Sequence, residues 1–291
     1  MIAYVDSPFQ LLQMHELNEQ RKNFCKVYIR LNGKMENDKQ LKNLVKLFGL
    51  ADYKFIRVVK GYEKAYYYFI FLFLSIMNTQ IIIGDANCFL FKFLKLFLPK
   101  SKFLLLDDGV ATINDVEINK NYSRFTIFPD YVKDSLTNDF KAIKKLIGEK
   151  KVVLKHVIVG AKFIDAGICS EHSYDTAIGK IISNLNLDGV SCVYIPHRGE
   201  TDAQISRLKN KFPIEIIRTE YPIELLTLET DIYPASISHT LSTAAYSMKK
   251  IYTNVDMFTC KIPSSEILLR KETIERLYQQ LEDEAFTFFL K

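Results

Sequence analysis

Lys102-Phe103-Leu104-Leu105-Leu106-Asp107-Asp108-Gly109 is an apolar run that stops abruptly at two acids and a glycine. A run of this length with turn residues at its end is typical of a buried strand in a parallel sheet. Ligands of open α/β sheets bind beyond the carboxyl ends of such strands, where these two carboxylates would lie. Repulsion between adjacent carboxylates can raise the pKa of one of them, which suits a general base. A strand followed by an ordinary Asp-Gly turn is the simpler interpretation of this segment alone.

Strands and helices alternate on both sides of this run. The chain opens with a strand at residues 2–5, after which Ser7 can cap a helix with Pro8 in its first turn. Further strands are predicted at 26–30, 55–59, 80–84 and 104–106, with a helix at 37–49. The second half predicts strands at 156–160, 192–196, 214–218, 231–233 and 250–252, with helices at 173–187, at 202–211 and from Ile274 to Phe288. This alternation predicts an α/β protein with parallel, doubly wound sheets.

A lysine-rich stretch at residues 137–151 interrupts the alternation and reads as a helix end and a linker. The chain has 291 residues, of which 48% are hydrophobic, enough for two cores. We therefore expect two Rossmann-like domains, at residues 1–150 and 151–291, that face each other across a cleft. A C-terminal helix would close the second domain.

The overall charge and the cysteines exclude several classes of protein. The net charge of +5 and an isoelectric point near 8.7 suit an anionic ligand or weak attraction to an anionic membrane surface. No basic stripe of the kind found in nucleic-acid binders is present. The five cysteines contain no Cys-x-x-Cys pair, which argues against a structural zinc site or a disulfide framework. The sequence starts directly with a strand rather than a signal peptide, which predicts a cytoplasmic protein.

Two segments, at residues 65–77 and 88–98, are rich in aromatic and aliphatic side chains. Both are shorter than the roughly 20 apolar residues that cross a bilayer. The favoured interpretation is a pair of helices buried against the sheet or in a dimer interface. The alternative is a surface that lies on the inner membrane, with Lys92 and Lys95 near lipid phosphates.

Three polar segments of the second half are candidates for a ligand site, and the first two contain His197 and Glu224. His197-Arg198 comes directly after a predicted strand, where a histidine that titrates near neutrality can donate a proton and an arginine can hold an anion. Glu224 follows Pro222 at a predicted helix start and could accept hydrogen bonds from a ribose diol. The alternative interpretation of His197 is a solvated histidine in a turn. The alternative for Glu224 is a glutamate in the first turn that stabilises the helix dipole.

The segment at residues 236–245 holds five hydroxyl side chains, more than the single one that a helix cap needs. Hydroxyls at a helix start, together with free backbone N–H groups, form an anion site. The motifs G-x-x-x-x-G-K-[ST], G-x-G-x-x-G, H-E-x-x-H and G-x-S-x-G are all missing from the sequence. A P-loop NTPase, a redox dinucleotide enzyme, a zincin and an α/β-hydrolase are therefore poorly supported.

Taken in order, these segments resemble the bacterial sialyltransferases of the GT-B type, and within them the lipooligosaccharide sialyltransferase and polysialyltransferase group (glycosyltransferase family 52-like). The resemblance covers most of the chain and rests on Ser7-Pro8-Phe9-Gln10-Leu11, Asp107-Asp108-Gly109, His197, Glu224 and Ser242-Thr243. One position departs from the pattern, because the family's His-Pro is His197-Arg198 here, with Pro196 before the histidine.

The resemblance implies a role for each matching residue. Asp108 would be the general base that deprotonates an acceptor hydroxyl, supported by Asp107. His197 would bind or protonate the phosphate of the departing CMP. Residues 151–291 would hold the nucleotide sugar and residues 1–150 the acceptor. The expected binding residues are Glu224 for the ribose, Ser242 and Thr243 for the phosphate, and Ser7 and Arg198.

The expected reaction is the transfer of sialic acid from CMP-sialic acid to a terminal sugar of lipooligosaccharide or capsule. A single phosphate and the lack of an Asp-x-Asp motif favour transfer without a metal or other cofactor. Direct attack by the activated hydroxyl would invert the anomeric centre. Two alternatives remain open: a transferase of the same fold that uses another nucleotide sugar, and a non-catalytic glycan- or nucleotide-binding protein of envelope assembly. Peripheral contact with the inner membrane and a homodimer are further expectations.

Overall fold

The computed structural model describes residues 1–22, 26–57, 61–109, 112, 119, 121–129, 135–148, 150–185, 190–283 and 287–288. The chain divides into two compact units. Unit 1 comprises Met1–Leu146 with Glu220–Pro222, and unit 2 comprises Ile147–Thr219 with Ile223–Lys291. Every strand pair described is parallel, and each unit has its own sheet, so the predicted α/β class is confirmed.

The sheet of unit 1 has the order β3-β2-β1-β4-β5-β6-β7. Its described strands are β1 (Ile2–Val5), β2 (Lys26–Arg30), β3 (Tyr53–Ile56), β4 (Ile81–Ile83), β5 (Phe103–Leu105), β6 (Ser123–Thr126) and β7 (Leu136–Thr137). The order reverses between β1 and β4. In such sheets this switch point is where ligands bind, beyond the carboxyl ends of the strands. Asp107 and Asp108 follow β5, which is the neighbour of β4.

The described helices of unit 1 are α1 (Pro8–Arg21), α2 (Met35–Leu47), α3 (Tyr62–Met77), α4 (Phe89–Leu94) and α5 (Lys141–Gly148), which runs past the division between the units. The start of α1 is confirmed as predicted. The Ser7 hydroxyl accepts a hydrogen bond from the Gln10 N–H at 3.3 Å, and Pro8 opens the helix. A side-chain cap of this kind stabilises a helix by about 1 kcal/mol.

Unit 2 repeats the same strand order, β10-β9-β8-β11-β12-β13, with its switch point between β8 and β11. The strands are β8 (Val153–Val159), β9 (Cys192–Ile195), β10 (Glu215–Ile216), β11 (Ile232–His239), β12 (Asp256–Thr259) and β13 (Thr287–Phe288). The described helices are α6 (Glu171–Asn184), α7 (Asp202–Lys211), α8 (Leu226–Thr230), α9 (Ala244–Ile251) and α10 (Lys271–Asp283). His197 follows β9, as expected for a strand-end residue.

The apolar segments of unit 1 form α3 and α4, and each packs one face on the sheet. Phe71 of α3 is buried and meets the rings of Tyr4 and Tyr28 edge-on, with centroids 5.5 and 4.9 Å apart. Burying one such side chain contributes about 2 kcal/mol. The predicted packing against the sheet is therefore confirmed for this face. None of the described helices is long and apolar enough to cross a membrane.

Three predicted elements differ from the structure. Residues 250–252 were expected in a strand, but α9 continues to Ile251 because Ala245, Met248 and Ile251 are buried at helical spacing. Residues 236–239 were expected to open a helix, but they belong to β11, which lies between β8 and β12 and buries small polar side chains. Phe288 lies in β13, because α10 ends at Asp283. Residues 58 and 59 of the third predicted strand lie outside the described residues, and β3 ends at Ile56.

Candidate active site

Helix α1 carries three buried polar side chains at intervals of three residues. Gln10, Gln13 and Glu16 are each at most 1% exposed. Residues three apart lie on the same face of a helix, and a buried polar group is costly unless it is hydrogen-bonded. Glu16 accepts the N–H groups of Ala142 and Ile143, at 3.1 and 2.8 Å, and so caps the start of α5. The two glutamines bind the loop that carries the two acids.

Gln10 links the switch point of unit 1 to Asp108. Its Oε1 accepts the Asp6 N–H at 2.9 Å, and its Nε2 donates to Asp108 Oδ1 at 3.0 Å. Gly84, directly after β4, makes room for this amide, because a Cβ at that position would lie 2.1 Å from Gln10 Oε1. The amide therefore occupies the space beyond the carboxyl ends of β1 and β4.

The two neighbouring acids have different environments. Asp107 is fully buried: its backbone N–H and C=O bond the side chain of Gln13 at 3.0 and 2.8 Å, and its Oδ2 accepts the Ile127 N–H at 2.7 Å. Asp108 is exposed, and its backbone N–H donates to Thr112 Oγ1 at 2.8 Å. Asp107 thus holds neighbouring backbone in place, while the Asp108 carboxylate can reach a ligand.

A buried chain of hydrogen bonds holds the His197 loop in unit 2. The Ala161 N–H donates to the Tyr174 hydroxyl at 2.9 Å, and that hydroxyl lies 3.0 Å from the hydroxyl of Tyr194. Tyr194 donates to Glu200 Oε1 at 2.6 Å, and Glu200 Oε2 accepts the His197 N–H at 2.6 Å. Glu200 therefore determines the position of the backbone at His197.

Gly160 directly follows β8 at the switch point of unit 2 and makes room for this carboxyl group. A Cβ on Gly160 would lie 2.2 Å from Glu200 Oε2, 2.7 Å from the backbone nitrogen of His197 and 2.7 Å from the Tyr194 hydroxyl. Such separations are far below van der Waals contact, so a side chain at this position would displace the loop. A glycine here is a requirement of the packing.

Burial shifts the pKa of both groups in this loop. Loss of solvent raises the pKa of Glu200 to about 7, against the lowering effect of the hydrogen bonds from Tyr194 and His197. Loss of solvent is the main cause that lowers the pKa of His197 to about 4, and the positive charges of Arg198 and Lys162 lower it further. His197 is therefore neutral at pH 7, unlike the near-neutral titration expected from the sequence.

The tautomer of His197 follows from its contact with Gly199. The Gly199 N–H donates to His197 Nδ1 at 3.0 Å, so the ring proton of the neutral imidazole is on Nε2. Neutral His197 can thus donate a hydrogen bond through Nε2, while the exposed side chains of Lys162 and Arg198 supply positive charge beside it.

Glu224 lies in a 3-10 turn, Ile223–Leu225, rather than in the first turn of an α-helix. It is buried, and its Oε1 accepts a hydrogen bond from the Ser247 hydroxyl of α9 at 2.7 Å. Burial raises its pKa, opposed by the Ser247 hydrogen bond and by the charge of Arg198. These interactions bring together Arg198, Glu224 and the first turns of α9.

The predicted hydroxyl cluster is only partly at a helix start. Thr243 is the N-cap residue of α9, preceded by Ser242, and its side chain makes no capping hydrogen bond. Ser236 and Ser238 are instead buried in β11. Ser242 and Thr243 are thus the hydroxyl residues of this segment that adjoin the start of α9.

The structure divides the predicted site residues between two places. Asp107, Asp108 and Ser7 surround the switch point of unit 1, whereas His197, Arg198 and Glu224 belong to unit 2, with Ser242 and Thr243 at the start of α9. No cluster of three or more possible metal ligands occurs among the described residues. The sequence predicted no role for Gln10, Gln13, Lys162 or Glu200. The one available signal was the Gln-x-x-Gln-x-x-Glu spacing on α1.

No known protein family and no curated protein matches the sequence. Solved structures match its fold. A Listeria monocytogenes protein described as a UDP-N-acetylglucosamine 2-epimerase has a TM-score of 0.57 and 10% identity, over 97% of this chain and 87% of that one. The Methanocaldococcus jannaschii UDP-GlcNAc 2-epimerase, in complex with UDP-GlcNAc and UDP, has a TM-score of 0.54 and 12% identity, over 94% and 86%. Arabidopsis thaliana UGT89C1, complexed with UDP-L-rhamnose, has a TM-score of 0.54 and 8% identity, over 99% and 84%.

These likenesses, at 12% identity or less, define the fold and leave the activity open. Each spans nearly the whole chain and includes both units. Together with the two parallel sheets, they show that the chain has the GT-B fold, which consists of two Rossmann-like domains.

Proposed function

We propose that this protein is a glycosyltransferase that moves sialic acid from CMP-sialic acid to a terminal sugar of a bacterial surface glycan. The observation that carries the proposal is the exposed Asp108 carboxylate beyond β5, which Gln10 holds at 3.0 Å. A general base must present a fixed carboxylate to the proton it removes. Asp108 has this position, and buried Asp107 does not.

Asp108 is the proposed base, and the direct attack of the activated hydroxyl inverts the anomeric centre. Asp107 takes part indirectly, because its hydrogen bonds to Gln13 and Ile127 fix the loop. A rigid loop holds the Asp108 carboxylate in position before the substrate binds, which favours the reaction by proximity. No metal or other cofactor enters the proposed reaction.

The leaving CMP is the proposed ligand of the polar residues in unit 2. His197 donates from Nε2 to the phosphate, and Arg198 and Lys162 balance its charge; Ser242 and Thr243 add hydroxyl groups, and Glu224 binds the ribose. A bound phosphate would raise the pKa of His197 above about 4, because a nearby anion favours the imidazolium ion. A proton could then pass to the leaving group.

The choice of CMP-sialic acid, and of lipooligosaccharide or capsule as acceptor, rests on the resemblance of the short motifs to bacterial sialyltransferases. The similar structures from Methanocaldococcus jannaschii and Arabidopsis thaliana contain UDP or UDP-sugars. The donor is therefore the first property to test. The cytoplasmic location, the homodimer and the acceptor-side role of unit 1 also stay predictions.

The decisive experiment measures nucleotide release from CMP-sialic acid and from UDP-sugars, with and without a glycan acceptor. We expect release of CMP that depends on the acceptor. The variant Asp108→Asn should lower turnover about 10²- to 10⁴-fold while CMP binding survives, because only the proton-accepting group is lost.

Asp52→Asn is the matched control, since Asp52 is exposed in the same unit and pairs with Lys26. Turnover of a UDP-sugar, with CMP-sialic acid inert, would identify a transferase with another donor. If no donor is turned over, and Asp108→Asn leaves the cellular function intact, the protein is a binding protein rather than an enzyme.

A further inference from the structure

Helix α3 exposes an apolar stripe on the side opposite its packed face. Tyr66, Phe69, Phe73, Ile76 and Met77 are between 55% and 70% exposed. Their spacing of three and four residues places them on one side of the helix. An amphipathic helix at the surface of a soluble domain normally turns polar residues outward, and α3 has no charged residue between Lys64 and its end at Met77.

The stripe continues onto α4 and the turn that follows it. Phe89, Leu96 and Phe97 are between 57% and 73% exposed. The ring of Phe93 joins the two parts, because its centroid lies 5.8 Å from that of Phe69 and 5.1 Å from that of Phe97. We call these exposed side chains, together with Phe93, the α3–α4 surface. A continuous apolar surface of this kind marks an interaction site.

Lysines border the α3–α4 surface. The ammonium groups of Lys64 and Lys92 lie 4.3 and 5.7 Å from the centre of the Phe89 ring, and that of Lys95 lies 5.6 Å from the Phe91 ring. Between Lys64 and Lys102 the sequence contains a single acid, Asp85. The border is therefore positive, with long side chains that can cover aromatic rings and extend their charges outward.

We propose that the α3–α4 surface docks on an anionic lipid bilayer. Aromatic and aliphatic side chains on one face, with lysines at its edge, are the composition of helices that lie in the membrane interface. Lysines near such a surface are attracted to its phosphates. A second copy of the chain fits this surface less well. In a two-fold dimer the same surface of both copies would meet, so the positive lysines of one copy would face those of the other.

The surface is also held rigidly. The Lys102 ammonium donates to the carbonyl oxygens of Ser75, Ile76 and Asn78, at 3.1, 2.9 and 3.0 Å. These are carbonyls at the end of α3, which the helix itself leaves without partners. A helix fixed in this way loses little further freedom on binding, which lowers the cost of docking.

The experiment is co-sedimentation of the full chain with phosphatidylcholine vesicles, with and without about 30% phosphatidylglycerol, at low salt and at about 0.5 M salt. We expect at least tenfold stronger partitioning onto the anionic vesicles at low salt, and weaker partitioning at high salt. No substrate is present, so the result does not depend on the proposed enzymatic function, and either proposal can fail alone.

Two variants test the two components of the surface. Phe69→Ser with Phe73→Ser, and Lys92→Glu with Lys95→Glu, should each weaken vesicle binding about tenfold or more. The matched controls are Met35→Ser with Leu268→Ser, which are exposed apolar residues elsewhere, and Lys141→Glu with Lys145→Glu, which change the charge equally. The controls should bind like the wild type.

Because the substituted side chains are exposed, each variant should keep its melting temperature, which is measured alongside. The proposal is overturned if the wild type stays in the supernatant, if neutral and anionic vesicles bind it equally, or if the controls lose as much binding as the variants. Loss of self-association in the Phe69 and Phe73 variant, without vesicle binding by the wild type, would assign the surface to a dimer.

Discussion

The two units solve the same packing problem with different chemistry. In unit 1, Gly84 makes room for Gln10, whose amide binds the carboxylate of Asp108. In unit 2, Gly160 makes room for Glu200, whose carboxyl group binds the backbone of the His197 loop. Each glycine directly follows a strand at a switch point, and each polar side chain fills the space where a Cβ would be.

The difference lies in whether the holding side chain can titrate. The Gln10 amide is neutral at every pH of interest, so its contact with Asp108 does not depend on its own ionisation. Glu200 has a pKa raised to about 7 by burial, so its ionisation changes within the physiological range. The geometry of unit 2 should therefore respond to pH through Glu200, and that of unit 1 should not respond through Gln10.

The largest expected effect separates the two glycines. At Gly160 an added Cβ would meet the backbone nitrogen of His197 at 2.7 Å, which cannot move without the loop, so Gly160→Ala should destabilise the protein by about 3 kcal/mol. At Gly84 the nearest atoms belong to the side chain of Gln10, which can rotate away, so Gly84→Ala should cost only about 1 kcal/mol.

Urea unfolding of both variants measures this difference, and turnover adds a second readout. Gly84→Ala should still lower turnover, because the displaced Gln10 no longer holds Asp108. Equal destabilisation by the two substitutions would show that the two glycines are not distinguished by what surrounds them.

A smaller effect is expected when the amide of unit 1 is converted to the acid found in unit 2. Gln10→Glu places a second carboxylate about 3 Å from Asp108, and repulsion should raise the pKa of one member of the pair. The acidic limb of the turnover–pH profile should move to higher pH, with about a tenfold loss at pH 7.

Gln10→Ala is the control for this substitution, because it removes the hydrogen bond without adding charge. It should lower turnover with little movement of the acidic limb. An unchanged pH profile in Gln10→Glu would mean that the introduced carboxyl, rather than Asp108, keeps the shared proton, and Asp108→Asn then remains the test of the base.

The reverse substitution, Glu200→Gln, should change the pH dependence of stability. The raised pKa means that Glu200 favours folding below its unfolded pKa of about 4.5, and that this contribution is lost as the pH rises to about 7. The opposite holds for His197: its contribution is present above its unfolded value of about 6.5 and is lost as the pH falls towards about 4.

Between about pH 4.5 and 6.5 the Glu200 contribution to the free energy of unfolding falls and the His197 contribution rises, so the two partly cancel in the wild type. In Glu200→Gln only the His197 slope remains, so the variant should gain about 2 kcal/mol relative to the wild type as the pH rises from about 4.5 to 7. Urea unfolding across this range measures the gain, with Glu272→Gln at an exposed position as the control. A difference that does not change with pH would contradict the raised pKa.

The alternation of strands and helices could be predicted because apolar runs and helical spacing are local properties of the sequence. The acids beyond β5, His197 beyond β9 and the Ser7 cap follow from the same patterns. The strand at residues 236–239 could not be predicted, because its serines favour turns and caps by themselves and become buried only between β8 and β12.

The contacts that position the candidate residues lie beyond local patterns. Gln10 binds Asp108 across 98 positions of sequence, and Gln13 binds Asp107 across 94. A glutamine on a helix is most often exposed, so its type alone does not indicate a buried role. Glu200 is similar, since Gly160, which makes room for its carboxyl group, is brought to it by the pairing of β8 with β9.

Lys102 links the end of α3 to the segment that leads through β5 to Asp108. Its ammonium group binds carbonyl oxygens at the end of α3, and it lies six positions before Asp108 in the sequence. Six residues extend over at most about 20 Å. On the proposed docking, Asp108 therefore lies within about 20 Å of a residue that fixes the end of a membrane-facing helix. An acceptor anchored in the same bilayer would then meet the proposed base close to the headgroups.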